Sequence, residues 1–326
     1  MRIAMVITPM NDSNLRLARQ IGVTDVVGRC PGKELHDVVQ LRDRVAAAGM
    51  QLTVIEGQLP LKSIVLGLPD RDRDVEFIRT LIRSMGAAGV PVLCYNFMST
   101  GDMTRSRFDV TDRGGALVNR FDAAEFEQCV AAQAPTDPPI SAAQMWGNLE
   151  SFLREIVPEA ERTGVKLAMH PDDPPGLARL HGQPRIMGSV DEFERLVALV
   201  PSPVNGICFC QGCFSEMGID VIAAIHRLGP FIHYVHFRDV IGCTPSFRET
   251  FHDCGQTNMA AAMWAYRDIN YGGVMRPDHV PVLEGESGDA SGYTMQGRLF
   301  AVGYMRGLMH GIETDNCDCN SPRLAT

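Results

Sequence analysis

Short β-rich runs alternate with longer amphipathic segments along most of this chain, and this alternation constrains the fold more than any other feature. Each run is five to eight residues long and largely apolar, which is typical of strands in a parallel sheet covered on both faces. The eight runs are RIAMVI (2–7), TDVVG (24–28), QLTVIE (51–56), VPVLCYN (90–96), VKLAMH (165–170), NGICFC (205–210), FIHYVHFR (231–238) and GGVMRPD (272–278).

The segments between the runs have the periodicity of helices. Apolar residues recur at intervals of three and four over 34–49, 74–89, 148–164 and 191–200, and several of these segments end in glycine. Eight such units predict an α/β fold, a (β/α)8 TIM barrel, rather than an open doubly wound sheet. Nucleotide binding is not indicated, because neither a G-x-G-x-x-G after the first strand nor a P-loop motif is present.

The domain prediction is a single barrel over residues 1–312. A long segment at about 99–141 separates the fourth strand from its next helix, and we interpret it as an insertion or a cover of the active site. The last residues, 313–326, are polar and lack periodicity, so we expect a loosely held tail.

Composition excludes several classes of partner. The net charge of −9, without clustered Lys and Arg, argues against nucleic-acid binding. No apolar run approaches the roughly 20 residues that cross a bilayer, so no membrane association is expected. The 10 cysteines are scattered and no export signal precedes them, which predicts reduced thiols and a cytoplasmic protein.

The predicted strand ends carry residues of types that bind metals. Barrel enzymes place their reacting groups at the carboxyl ends of the strands. Those ends hold Asn96, His170, Cys210, His236, and Asp278 with His279. Because neighbouring strand ends lie close together, we expect His170, Cys210, His236 and Asp278 to bind one ion.

A structural zinc cluster is an alternative use of the cysteines. Cys208, Cys210 and Cys213 have the spacing C-x-C-x-x-C, but the second ligand pair that normally closes such a site is not nearby. Cys317 and Cys319, in the predicted tail, could supply that second pair only if the fold happened to bring the tail close to the other three cysteines. Cys208 and Cys210 share one face of their strand, and the position of Cys210 at the strand end favours it as the ligand.

The kind of ligand indicates the kind of ion. One thiolate with two imidazoles favours Zn²⁺, Fe²⁺ or Co²⁺ over Mg²⁺ or Ca²⁺. Four protein ligands can also close a tetrahedral zinc site and leave no place for a substrate. Arg105, Arg238 and Arg276 flank the motifs, and each is either a clamp for a substrate carboxylate or an ion-pair residue of the protein.

With these residues identified, the chain resembles mannonate dehydratase of the hexuronate pathway. The similar segments follow the order of the family and cover the chain from about residue 90 to 310. They are CYNFM (94–98), DMTRS (102–106), MHPDDPP (169–175), QPRI (183–186), NGICFCQG (205–212), HFRD (236–239), FH (251–252), RPDH (276–279) and GYTMQGRL (292–299).

This resemblance implies a xylose-isomerase-like TIM barrel that dehydrates D-mannonate to 2-keto-3-deoxy-D-gluconate with Mn²⁺ or Fe²⁺. The metal ligands it implies are His170, Cys210, His236 and Asp278. His279 and Tyr293 match the catalytic acid and base, without an indication of which is which. We further expect Asn96 to contact the anionic sugar acid, and a homodimer.

Departures from the family pattern concern loops. The start lacks the family's Trp-Tyr-Gly opening, CQGC (210–213) replaces a CTGS type, and DMTR replaces a DWTR type. A related aldonate is therefore an alternative substrate.

Two other functions use the same barrel. A metal-dependent sugar isomerase or epimerase usually has a carboxylate-rich site, whereas we expect a clear acid ligand at the last strand end alone. A non-catalytic barrel stabilised by its metal has no use for a titratable pair such as His279 and Tyr293.

Overall fold

The computed structural model describes residues 1–99, 103–130, 137–287 and 292–314. Within them, eight strands close into a barrel in chain order, and every neighbouring pair is parallel. The barrel strands, first to eighth, are Arg2–Val6, Asp25–Gly28, Gln51–Glu56, Val92–Tyr95, Lys166–Met169, Asn205–Cys210, Ile232–Phe237 and Val274–Pro277. The predicted (β/α)8 barrel and all eight of its strands are confirmed.

Helices surround the barrel, and the four predicted helical segments are among them. The α-helices are Asp12–Gln20, Leu35–Ala47, Lys62–Leu66, Arg71–Ala88, Ala123–Val130, Ala142–Thr163, Val190–Leu199, Gln211–Glu216, Val221–Leu228, Met259–Asp268 and Met295–Thr314. Among these described helices, none is both long and apolar enough to cross a membrane.

The longest helix, Ala142–Thr163, shows how local sequence sets the helix ends. Ser141 and Gln144 form a capping box, in which the backbone N–H of Gln144 donates to the Ser141 hydroxyl at 3.2 Å and that of Ser141 donates to the Gln144 side chain at 3.0 Å. At the other end Gly164 adopts a left-handed conformation with φ 71°, which glycine takes without a steric penalty.

The apolar residues form two layers. Large side chains such as Leu149, Phe209 and Phe214 fill the space between the strands and the helices, where the two phenylalanine rings stack with centroids 4.1 Å apart. The barrel interior is filled mainly by smaller residues, among them Ala4 and Val54. A packed interior leaves the carboxyl ends of the strands as the place for a site.

A second sheet lies outside the barrel, and the sequence did not predict it. It is antiparallel and joins Val240–Cys243, Ser246–Glu249, Leu117–Asp122 and Arg107–Thr111, in that order. The segment interpreted as an insertion or cover therefore contributes two of its strands; residues 100–102 and 131–136 of that segment lie outside the described residues. Of the predicted tail, residues 315–326 also lie outside them.

The packing of the long helix against the barrel gives a test of the fold. Leu149 is 0% exposed, so Leu149→Ala should lower the free energy of unfolding by about 2–5 kcal/mol through lost burial and a residual cavity. Leu35 is 46% exposed, and the matched Leu35→Ala should change it by less than about 0.5 kcal/mol. Urea unfolding followed by circular dichroism measures both, and equal losses would contradict this packing.

Candidate metal centre and active-site cavity

A cavity of about 410 Å³ opens at the carboxyl ends of the barrel strands, a size suited to a small molecule. Seven of the predicted site residues line it, namely Asn96, His170, His236, Arg276, Asp278, His279 and Tyr293. Other lining residues that the sequence analysis did not propose include Arg29, Glu56, Cys94, Met103 and Asp173.

Strand register places the metal-ligand candidates at one level. Cys210 lies opposite His236, and His236 lies opposite Arg276, two residues before Asp278. His170 directly follows the fifth barrel strand, where its backbone N–H donates to the carbonyl of Tyr95 at 2.7 Å. Parallel pairing therefore carries the four candidates to the same end of the barrel, across a register shift between Ile207 and Cys208 in the sixth strand.

The four candidate side chains converge. Nε2 of His170 lies 3.2 Å from Nδ1 of His236, which lies 3.4 Å from Oδ2 of Asp278. The same Asp278 oxygen lies 3.9 Å from Sγ of Cys210, and ligand atoms of His170, Cys210 and His236 all lie within 4.8 Å of one another. Ions bound at about 2.0–2.3 Å from nitrogen, oxygen and sulfur require such spacings between ligand atoms, so these residues fit a divalent ion.

The MHPDDPP motif orients its histidine through its own backbone. Nδ1 of His170 donates to the carbonyl oxygen of Pro171 at 2.7 Å. Nδ1 thus carries a proton, and Nε2 is the ring nitrogen that faces His236. A hydrogen bond of this kind is the usual way in which a ligating imidazole is held.

The electrostatics of the cluster favour a thiolate at Cys210. Burial opposes ionisation of Cys210, but a hydrogen bond from Cys213 and the charges of Arg238 and His170 hold its pKa well below the ordinary value. Desolvation lowers the pKa of His170, but the Cys210 thiolate outweighs it and raises that pKa to about 8. The thiolate is thus a negative group that a bound cation can stabilise.

Glu56 is a functional candidate that the sequence analysis missed. It ends the third barrel strand, so the expectation that the last strand alone offers an acid was wrong. Arg276 binds it at 2.8 Å and Tyr234 donates to it at 3.1 Å. Although burial opposes its ionisation, Arg276, His236 and Arg29 hold its pKa well below the ordinary value. The glutamate at the end of the predicted strand QLTVIE (51–56) was the sequence signal that could have identified this residue.

Arg238 lies behind the cavity rather than in its lining. Its guanidinium contacts Glu216 at 2.8 Å, Glu249 at 3.1 Å and Asp278 at 3.2 Å. The structure therefore places Arg238 in the ion-pair role and not against the cavity, because the protein's own carboxylates surround its guanidinium.

Arg105, like Arg238, is an ion-pair residue outside the cavity lining. It is buried, it is not among the described residues that line the cavity, and it binds Asp173 and Glu249. Of the four predicted substrate-contacting residues, the structure thus brings only Asn96 and Arg276 to the cavity. Arg276 is itself bound to Glu56 and Asp278, the latter at 2.5 Å.

His279 and Tyr293 lie side by side at the cavity, with ring centroids 5.6 Å apart. Nδ1 of His279 is 2.8 Å from Oε1 of Glu249, and the Tyr293 hydroxyl donates to Asp278 at 3.4 Å. Partial burial and the Asp278 carboxylate raise the pKa of Tyr293 to about 12. His279 has φ +40°, an uncommon backbone conformation that is more frequent near functional sites.

The alternative zinc cluster does not assemble among the described residues. Cys208 converges with Cys94 and His236, while Cys213 converges with Asp173 and Glu216. Cys317 and Cys319 lie outside the described residues.

Comparison with known proteins gives the family. A sequence profile of D-mannonate dehydratase matches residues 9–137 and 136–318. The chain belongs to the mannonate dehydratase family. Mannonate dehydratase of Oceanobacillus iheyensis is 32% identical over 302 residues, which are 85% of this chain and 85% of that protein. Mannonate dehydratase of Streptococcus suis is 34% identical, over 84% of this chain and 81% of the relative.

Solved structures similar to this chain indicate the same family and the same fold. The crystal structure of mannonate dehydratase from Streptococcus suis superimposes with a TM-score of 0.87 at 30% identity, covering 97% of this chain and 96% of the other. A D-tagatose 3-epimerase-like protein reaches 0.62 at 15% identity over 97% of this chain and 99% of the other, a likeness of fold only. The predicted membership of this family of hydro-lyases, on a xylose-isomerase-like barrel, is confirmed.

Loss of the thiolate tests the metal centre. Loss of a side chain that only hydrogen-bonds to a ligand typically weakens metal affinity about 10–100-fold. Cys210→Ser removes a ligand itself, so it should weaken the affinity at least that much. Chelator competition followed by metal analysis measures the affinity. Cys243→Ser, at an exposed thiol, is the matched control and should leave it unchanged. Equal affinities in the two variants would remove Cys210 from the ligand set.

Proposed function

We propose that this chain dehydrates D-mannonate to 2-keto-3-deoxy-D-gluconate and water. The observation that carries the proposal is the convergence of His170, Cys210, His236 and Asp278 beside a cavity that also presents His279 and Tyr293, in a chain of the mannonate dehydratase family.

The four converging side chains would hold one divalent ion. A bound ion supplies Lewis acidity, which stabilises the charge that develops on the substrate oxygens when the proton next to the carboxylate leaves. Mn²⁺ or Fe²⁺ is the proposed ion. Mn²⁺ is favoured by the family resemblance, whereas the thiolate of Cys210 also suits Fe²⁺, Zn²⁺ or Co²⁺.

His279 is the proposed base for the C2 proton. Arg238 and Arg105 outweigh the burial of Glu249 and lower the pKa of that carboxyl to about 2, so Glu249 is ionised and only accepts hydrogen bonds. Nδ1 of His279 lies 2.8 Å from this carboxylate, closer than the 3.3 Å to Arg105, and is proposed to carry the ring proton. Nε2 then has a free lone pair and can accept the substrate proton.

Tyr293 is the proposed acid for the departing C3 hydroxyl. Its pKa of about 12 keeps the phenol protonated at neutral pH, so it enters the reaction as a donor. Its hydroxyl already donates toward the Asp278 carboxylate at 3.4 Å and can turn to the leaving hydroxyl. Removal of the C2 proton, with cleavage of the C3–O bond and protonation of the leaving hydroxyl, gives an enol and water. The enol then tautomerises to the 2-keto acid.

Arg29 is the proposed contact for the substrate carboxylate, with Asn96 and Arg276 beside it. Its side chain is 38% exposed and lies 3.6 Å from Glu56. Among the cavity arginines it is the more accessible one, because Arg276 is nearly fully buried between Glu56 and Asp278. A guanidinium is suited to bind a carboxylate.

The isomerase or epimerase alternative would use Glu56, the second acid found at a strand end, as a base or metal ligand. That carboxylate is bound by Arg276 at 2.8 Å and by Tyr234 at 3.1 Å, so it is less available as a base or ligand. The dehydratase proposal is therefore preferred.

Three further predictions from the sequence belong to this proposal. We propose a cytoplasmic protein that does not bind nucleic acid, on the grounds of its thiols and its net charge of −9. We also propose a homodimer, since twofold dimers are the commonest soluble oligomers. Light scattering of the purified protein measures this last property.

Turnover of D-mannonate tests the activity. The Mn²⁺-loaded protein should release 2-keto-3-deoxy-D-gluconate, lose activity with a chelator, and regain it with Mn²⁺. A panel of other aldonates and of ketoses, with products identified by chromatography, separates the alternatives. Isomerised ketoses would favour the epimerase, whereas a folded, metal-loaded protein that leaves every aldonate unchanged would refute the proposal.

Removal of one hydroxyl tests the acid. Tyr293→Phe should lower kcat about 10²–10⁴-fold, the usual contribution of a positioned acid or base, while metal content and the circular dichroism spectrum stay unchanged. Tyr304→Phe, on the helix Met295–Thr314, is the matched control and should retain full turnover. Unchanged kcat in Tyr293→Phe would remove the residue from the mechanism and favour a barrel whose metal is only structural.

A further inference from the structure

We propose a second metal site inside the barrel, formed by Cys94, Cys208 and His236, which takes a soft or borderline divalent ion such as Zn²⁺ or Cd²⁺. This inference goes beyond the proposed dehydratase, whose ligand set includes neither of these two thiols.

Two buried thiols meet in the barrel interior. Cys94 belongs to the fourth barrel strand and Cys208 to the sixth, and both lie among the small residues that fill the barrel. They are 1% and 0% exposed. Their sulfur atoms and a ring nitrogen of His236 all lie within 4.8 Å of one another. Three soft or borderline ligand atoms therefore face one point.

Both nitrogens of the His236 ring have neighbours of ligand type. Oε2 of Glu56 lies 3.3 Å from Nε2 of His236, on the side of the ring away from Nδ1. Nδ1 faces His170 and Asp278 in the first centre. The two nitrogens of His236 thus have different neighbours, and as an imidazolate the ring can bind one ion at each nitrogen.

An ion can reach this position through the substrate cavity. Glu56, Cys94 and His236 all line that cavity, whereas Cys208 lies beneath them. The second site is therefore part of the cavity floor rather than a sealed pocket.

The ligand types distinguish the two centres. The first offers one sulfur, two nitrogens and a carboxylate oxygen, and the second offers two sulfurs and one nitrogen, with the fourth position left to water. Zn²⁺ takes such four-coordinate sets with sulfur at about 2.3 Å, and thiolate selects Zn²⁺ over Mn²⁺. Binding displaces the two thiol protons and the ring N–H proton of His236 into solvent, since the ligands are the thiolates and, with both centres filled, the imidazolate. Mn²⁺ should therefore fill only the first centre.

Cadmium titration of the metal-free protein tests the site. With a competing chelator to remove ions from exposed thiols, the wild type should bind two Cd²⁺ per chain and Cys208→Ala one. The cadmium–thiolate absorption should fall to about a third in the variant, because one of three thiolate ligands remains. Cys94→Ala should give the same loss independently, and Cys243→Ser, at an exposed thiol, none.

The outcomes separate this inference from the proposed function. Cys208→Ala should retain D-mannonate turnover with Mn²⁺, because Cys208 does not line the cavity, and this also shows that the variant is folded. One Cd²⁺ per chain in the wild type, or two in both alanine variants, would overturn the second site and leave the dehydratase intact. Two Cd²⁺ in the wild type and one in each alanine variant would support it even without mannonate turnover.

Discussion

The site depends on one buried cation, Arg238. Its guanidinium contacts a metal-ligand candidate, Asp278, and also Glu249, which holds His279. Both the proposed metal centre and the proposed base are therefore fixed by the same group. A buried arginine of this kind stays charged only because carboxylates surround it, and removal of one partner from such a set typically costs about 3–5 kcal/mol.

This cation also joins the two sheets of the molecule. Arg238 follows the seventh barrel strand, whereas Glu249 ends a strand of the antiparallel sheet. Arg105, next to the segment that supplies the other two strands, binds the same Glu249 and also Asp173 of the MHPDDPP motif. The outer sheet is thus part of the site, because it supplies the Glu249 carboxylate that contacts Nδ1 of His279 at 2.8 Å.

Local pattern was sufficient for the barrel and for part of the site. Each barrel strand is buried on both faces, so its apolar run is visible in the sequence without knowledge of its neighbours. His170, Cys210, His236 and Asp278 could be found because strand ends are predictable and parallel strands end together. The antiparallel sheet could not be found, since its strand Arg107–Thr111 is largely exposed and lacks an apolar run.

What the sequence determined by itself is the barrel, the candidate ligands and the resemblance to a family, all of which depend on short-range patterns. Only the tertiary structure decided the use of the arginines. Arg105, Arg238 and Arg276 look equivalent beside their motifs, yet two are surrounded by carboxylates from distant segments, and Arg276 alone reaches the cavity. The physical reason is that the role of a buried charge is defined by its partners in space, and those partners lie up to 220 positions away in the chain.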